Sequence, residues 1–335
     1  MVKANIHKKL ERIEEALRNL AEHEIECRLC PRECGINREK EEKGFCNTGS
    51  NASISHAILH FGEEPVLSGY YDCLKDKLKD SKHISGSGTI FFSGCNLKCS
   101  FCQNYQLSWL NQGKPASHEE LALNMLHLQK KGALNINAVS PTHIILPLLK
   151  SLKIAYSNGL ELPLVYNSNG YEKAEVIKNL EGIVDIYLPD FKYFSPELAE
   201  KFSGAADYFQ HASLAIKEMF RQQPTLLLDD QEIAQKGLIV RHLILPCQIT
   251  DSFAILEWIA QNLSKSVCLS LMSQYQPSFK APPEIQRQIS FEEYNQVKAK
   301  AEELGFETMF IQSESFAPHE HLTPDFNRKD PFLWE

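Results

Sequence analysis

Long apolar runs are missing from this chain. No stretch approaches the roughly 18 consecutive apolar residues of a membrane-spanning helix. The first twenty residues, MVKANIHKKLERIEEALRNL, are charged throughout and lack the apolar core of a secretory signal. A basic excess is missing too: 35 lysines and arginines stand against 43 aspartates and glutamates, a formal charge of -8. No basic run is long enough to track a phosphate backbone, which argues against nucleic acid as a partner. Low-complexity tracts are also absent, and so are internal repeats beyond a β/α rhythm. The expectation is a cytoplasmic protein with neither a membrane nor a nucleic acid as partner.

Cysteine, by contrast, is plentiful. Ten thiols in a cytosolic chain of 335 residues are unlike a disulfide framework, because the compartment keeps thiols reduced and the spacing is clustered. Four lie near the start (Cys27, Cys30, Cys34, Cys46), three follow in the middle (Cys95, Cys99, Cys102), and Cys73, Cys247 and Cys268 stand alone. The isolated three are read as packing residues. Metal is the simplest account of the other two groups.

A hydrophobic content of 43% suffices for one barrel-sized domain or two ordinary ones. From Asn5 to His23, Ile6, Leu10, Ile13, Leu17 and Leu20 recur at helical spacing, which predicts an amphipathic helix. Residues 24 to 85 read as a loop-rich extension that includes HFGEEP (60–65), taken as a solvated turn, and DCLKDKLKD. Beyond them six apolar or β-branched runs predict strands: GTIFFSG (88–94), LNINAVS (134–140), PLVYNSNG (163–170), VDIYLPD (184–190), LIVRHLILP (238–246) and VCLSLMSQY (267–275). Helix-like segments separate most of them, and one opens with a capping-box pattern at Ser117 and Glu120. Near-continuous apolar strands alternating with helices predict an α/β fold whose parallel sheet forms an open or partial barrel of six β/α units. The expected division is an N-terminal extension (1–85), the core (86–280) and a C-terminal extension (281–335).

The strongest signal is CNLKCSFC, directly after the first predicted strand, with thiols at Cys95, Cys99 and Cys102. A ferredoxin closes every iron with four thiolates. Three leave one iron open to an amino and a carboxylate group of a small molecule. The competing readings are a zinc site completed by a distant residue, or plain surface cysteines.

This spacing, with aromatic Phe101 before the last cysteine and the loop placed after strand one, resembles the radical S-adenosylmethionine (SAM) superfamily. FFSGCNLKCSFCQNYQLS is similar to the activating enzymes of glycyl radical enzymes, especially an uncharacterised group of homologues of the pyruvate formate-lyase activating enzyme. That group shares the runs CPRECGIN, LHFGEEP, GALNIN, SPTH, VYNSNGYE, DIYLPDFKY, RHLILP and SQY, over about residues 27 to 280. The resemblance implies an oxidoreductase with a partial (β/α)6 radical SAM barrel. A [4Fe-4S] cluster on Cys95, Cys99 and Cys102 would bind SAM and cleave it reductively to methionine and a 5'-deoxyadenosyl radical. It further implies an electron donor such as flavodoxin or ferredoxin.

Where the superfamily usually carries Gly-Gly-Glu for the SAM amino group, this chain has Ser140, Pro141, Thr142 and His143. The hydroxyls of Ser140 and Thr142 are candidates for the ammonium, or else form a strand-end turn. Asn167 and Asn169 are candidates for the ribose. In LPDFKY, Asp190 and Lys192 project to one side of an extended strand. By likeness to the activating enzymes, Lys192 meets the SAM carboxylate and Asp190 helps hold a monovalent cation. Arg241 and His242 are adjacent on a strand, so only one can face the lumen, and Arg241 is the choice. Phe101 completes the cofactor set.

The spacing of Cys27, Cys30, Cys34 and Cys46 fits either tetrahedral zinc or a second closed cluster. The resemblance to the activating enzymes implies hydrogen abstraction from a protein, and since the chain has no glycyl-radical loop of the RVSGY kind that protein would be a separate polypeptide. The alternatives are radical chemistry on a small molecule or nucleoside, or a non-catalytic iron-sulfur electron carrier, which an open iron would not serve.

Overall fold

All six of the predicted apolar runs form strands. In this computed structural model residues 2–69, 85–312 and 322–332 are described. The strands are β1 (Ala52–His60), β2 (Gly86–Phe92), β3 (Lys114–Ala116), β4 (Ala133–Val139), β5 (Leu164–Ser168), β6 (Ile186–Pro189), β7 (Leu227–Leu228), β8 (Ala234–Leu243), β9 (Cys268–Met272) and β10 (Met309–Ile311). They form one sheet ordered β10-β9-β8-β6-β5-β4-β2-β1-β3, with β7 off the path beside β8. From β2 through β10 every neighbouring pair on that path is parallel. The antiparallel strands β1 and β3 end the other edge, and the sheet does not close.

Parallel neighbours require crossovers, and helices supply them. His118–Lys130 joins β2 to β4 and opens with the capping box expected at Ser117 and Glu120. Ile145–Ser157, Tyr208–Gln222, Ile249–Asn262 and Phe291–Leu304 cover later crossovers. The strands are buried on both faces, which is why they read as continuous apolar runs. The N-terminal helix, Val2–Asn19, lays Ile13 and Ala16 into the same core. Its Lys9 makes a buried ion pair with Asp185 at 2.5 Å.

Both flanking segments contribute strands to this sheet. Strand β1 lies inside the stretch read as loop-rich, and β10 with its preceding helix adds a seventh parallel strand beyond the six expected. Two asparagines interrupt the apolar pattern of β4 for a reason. Asn135 donates to the Leu67 carbonyl at 2.8 Å and Asn137 to Glu63 at 2.9 Å, fastening the 61–69 segment to the sheet. No helix among the described residues is long and apolar enough to cross a membrane.

Candidate active site

The C-terminal ends of the parallel strands converge on a cavity of about 370 Å³. Backbone groups are left unpaired where strands stop, so side chains from successive strands can meet there without breaking the sheet. Strand β2 stops at Phe92 and the chain turns through Gly94 at φ 88°. A Cβ on Gly94 would stand 2.5 Å from the Cys46 carbonyl oxygen, so glycine alone passes this point. The loop then carries Cys95, Cys99 and Cys102 around one side of the cavity.

The loop is pinned by its own backbone. Ser100 N–H donates to the Phe202 carbonyl at 2.8 Å, and the Trp109 indole N–H donates to the Cys99 carbonyl at 3.0 Å. Phe101 sits edge-on to Tyr275 with centroids 5.5 Å apart. Each sulfur receives a donor: Asn169 Nδ2 at 3.3 Å on Cys95, Ser203 Oγ at 3.0 Å on Cys99 and Ser108 Oγ at 3.1 Å on Cys102. Burial, with the neighbouring Cys99 sulfur, lifts the thiol pKa of Cys95 to about 11 and of Cys102 to about 12. Such thiols stay protonated unless a metal takes the place of the proton.

The same cavity is lined by Ser140 after β4, by Asn167, Ser168 and Asn169 at the end of β5, by Asp190 and Lys192 after β6, and by Arg241 on β8. Ser140 takes φ 55°, the left-handed region rarely used by side-chain-bearing residues. Asp190 and Lys192 pair at 2.5 Å. Burial opposes the Lys192 charge, yet Asp190 and the Cys99 sulfur hold its pKa above the ordinary lysine value. Gly170, at φ 81°, lets the backbone pass the Asp190 carbonyl, where any Cβ would collide. Asn169 is committed to the thiol loop, since its amide also donates to Asn96 Oδ1 at 2.7 Å.

Four residues stand elsewhere than the sequence reading put them. Thr142, expected toward SAM, is fully buried off the cavity and donates to Glu172 at 2.5 Å. Among the described residues Glu172 has no counter-cation, and burial raises its pKa to about 8. HFGEEP is no solvated turn: Glu63 and Glu64 are buried and clasp Arg241. Cys247, taken as a packing residue, is exposed and contacts Arg287, whereas Cys268 is buried as expected. Cys73 and the DCLKDKLKD run lie outside the described residues.

Arg241 reaches Glu64 through Nε and Nη2 at 2.8 and 2.6 Å and also meets Glu63. Burial alone would raise the Glu63 pKa, but Arg241 and His60 hold it well below the usual carboxylate value. His242 faces the helical layer, bonded to the Phe191 carbonyl and Ser252, and burial lowers its pKa to about 4. Sequence reasoning missed His60 and Glu63 as cavity residues, along with the sulfur donors Ser108 and Ser203. The alternation of Ala52 and Ile54 with Ser53 and Ser55 was the available sign that a strand delivers the HFGEEP segment.

Residues 89–225 match the radical SAM superfamily, a span that begins in β2 and takes in the three-cysteine loop. The uncharacterized protein MJ0674 of Methanocaldococcus jannaschii is 32% identical over 296 residues, 85% of this chain and 76% of that protein. The chain belongs to the radical SAM superfamily. A second relative, uncharacterized protein MJ0808 of the same organism, is 25% identical over 82% of this chain and 80% of its own length. Among solved structures, HydG, a maturase of the [FeFe]-hydrogenase, is similar with a TM-score of 0.44 at 13% identity, over 66% of this chain and 50% of HydG. Methylornithine synthase (PylB) gives 0.41 at 16% identity, over 62% of this chain and 59% of PylB. The chain thus spans about half the length of HydG, and likenesses at this level leave substrate and partner open.

Radical SAM membership implies a [4Fe-4S] cluster and SAM, and the cavity suits both. Cys95, Cys99 and Cys102 all line this one cavity and would supply the thiolates for such a cluster. No other cysteine among the described residues lines the cavity, whose polar lining includes Ser140, Asp190 and Lys192. The N-terminal thiols Cys27, Cys30, Cys34 and Cys46 also form one group, close enough that the other three raise the Cys30 pKa beyond the effect of burial, to about 12.

Proposed function

We propose that this radical SAM enzyme holds its cluster on Cys95, Cys99 and Cys102 and abstracts a hydrogen atom from a separate protein, in the manner of an activating enzyme. The observation that carries the first part is a loop of three hydrogen-bonded thiols opening onto a polar cavity that no fourth cysteine of the described residues enters. When bound, the cluster and SAM supply one-electron cleavage of the sulfonium to methionine and a 5'-deoxyadenosyl radical. The chain's own residues do the rest. Lys192 offers an ammonium to the SAM carboxylate, and Asp190 keeps that ammonium charged and aimed. Ser140 and Asn167 supply acceptors and donors for the amino group and ribose, while Phe101 and Tyr275 exclude water from the thiol loop.

The protein substrate rests on the similarity of the CNLKCSFC loop and its flanking runs to activating enzymes. A reduced flavodoxin- or ferredoxin-class donor supplies the electron, and the N-terminal cysteines hold a second metal centre. One observation favours a small substrate instead: Leu322 and Phe332 of the C-terminal segment line the cavity, and Phe332 packs on Phe91 and His60. The test is anaerobic incubation of the reconstituted enzyme with dithionite and SAM. Formation of 5'-deoxyadenosine that is lost in Cys99→Ala and kept in Cys30→Ala supports the assignment. Cleavage that survives Cys99→Ala overturns it. A glycyl radical signal in a copurifying protein distinguishes the protein substrate from a small one.

A further inference from the structure

Three cations line up along the three-cysteine loop, and none of them has a carboxylate partner among the described residues. Arg32 lies 3.9 Å over the Phe45 ring and donates to the Asn96 carbonyl at 2.9 Å and the Gly204 carbonyl at 2.7 Å. Lys98, inside the loop itself, stands 5.8 Å from Phe45 and 5.5 Å from Trp109 and donates to the Ser108 carbonyl at 2.6 Å. Lys280 stands 5.2 Å from Trp109 and 5.1 Å from Phe279, and its ammonium makes no hydrogen bond among the described residues. Glu33, next to Arg32 in sequence, is taken by Lys173 at 2.7 Å, and Glu284, beyond Lys280, is taken by Lys201.

Shared rings join the three cations into one strip, with Phe45 between Arg32 and Lys98 and Trp109 between Lys98 and Lys280. Phe279 continues it by stacking on Tyr105 with centroids 4.8 Å apart. Phe45 and Phe279 are each 37% exposed and Leu110, following Trp109, is 55% exposed, so the strip offers apolar area as well as charge. Its foundation is the thiol loop: Lys280 N–H donates to the Ser100 carbonyl at 2.9 Å, and the Trp109 indole donates to the Cys99 carbonyl at 3.0 Å. Exposed rings beside unpaired cations are suited to a partner that brings acidic side chains around an apolar contact. The chain as a whole, at a formal charge of -8, repels such a partner, so a strip of unpaired cations selects one face for it.

We propose that the strip of Arg32, Phe45, Lys98, Trp109, Phe279 and Lys280 is the docking surface for an acidic one-electron carrier protein. This rests on the reading above, that a flavodoxin- or ferredoxin-class donor reduces a centre on the three-cysteine loop, and names where that donor sits. The carrier loses one electron and the centre on the loop gains it, with no bond made or broken in the transfer.

The test measures binding of an acidic flavodoxin to the anaerobically reconstituted full chain by calorimetry, at low and high salt. Beside it, 5'-deoxyadenosine formation is driven either by reduced flavodoxin or by dithionite. Lys280→Glu should weaken flavodoxin binding about 10-fold at low salt and Lys98→Gln/Lys280→Glu further, with both differences shrinking as salt screens the charges. Lys236→Glu reverses an exposed charge at the other end of β8 from Arg241 and should change binding by less than about 2-fold. Flavodoxin-driven cleavage should fall in Lys280→Glu while dithionite-driven cleavage stays at the parent level.

Unchanged affinity in Lys280→Glu, or an equal loss in Lys236→Glu, overturns the proposal, whether the strip then serves a protein substrate or nothing. A parent protein that binds neither the flavodoxin nor an acidic ferredoxin overturns it as well. A parent that binds flavodoxin through Lys280 but forms no 5'-deoxyadenosine with dithionite overturns the cluster assignment and leaves the docking surface standing. Lys280→Glu alone decides if the Lys98 substitution disturbs the loop, because only the backbone of Lys280 is bonded to it.

Discussion

Replacing Arg241 by methionine is expected to destabilise the protein by about 3–5 kcal/mol, the cost of removing one partner from a buried ion pair. Glu63 and Glu64 have side chains only 6% and 5% exposed and share this guanidinium, so Glu64 loses its cation and Glu63 keeps only His60 beside it. With an unfolding entropy of about 2.1 cal/mol/K per residue, a chain of 335 residues loses on the order of 1.4 °C in Tm per kcal/mol. The expected fall is therefore about 4–7 °C in anaerobic calorimetry. The Glu63 carboxyl, no longer held low by Arg241, would take up a proton, so the deficit should shrink as pH falls from 7 to 5. The variant Glu63→Gln/Glu64→Gln/Arg241→Met removes all three charges and should recover most of the loss, because the cost lies in the imbalance and not in a missing attraction. A fall below about 1 °C in Arg241→Met, or a triple variant as unstable as the single one, would refute the reasoning.

Glu172 provides a pH signature. Its folded pKa, about 8, lies above the ordinary 4.5, so the folded state binds the proton more tightly and stability declines as pH rises from about 4.5 to about 8. Glu172→Gln should remove that slope, of roughly 1.4 kcal/mol per pH unit at most, and gain on the parent protein between pH 5 and 8.5; a constant difference in Tm would contradict the burial argument. Lys192→Met should weaken SAM binding by about 10- to 100-fold, the worth of a charge-assisted hydrogen bond, with iron content unchanged; calorimetric titration that finds equal affinity sinks its assignment. Gly94→Ala should lose iron from the three-cysteine loop, since the new methyl meets backbone at Cys46. Full iron in that variant would show that the loop tolerates a positive φ with a side chain.

The three-cysteine loop and the six core strands were legible because each is a local pattern. Thiol spacing is read along the chain, and a strand buried on both faces shows as an unbroken apolar run. Asp190 and Lys192 were legible for the same reason, since the two-residue period of a strand puts them on one side. Strand β1 was not, because its burial is partial along most of its length and its alternation is interrupted by His56.

What the tertiary structure decided was pairing at long range. Glu63 and Glu64 read as solvated until β8 brings Arg241 against them, 178 and 177 residues away. Thr142 looked like a cofactor hydroxyl until Glu172 claimed it, and Arg38 had no visible role until folding set it between Cys27 and Cys46. Sequence determines the donor set and the periodicity, because these are carried by neighbours on the chain. The counter-charge of a buried group comes from whichever element packs against it, and packing is settled only when the whole sheet is assembled.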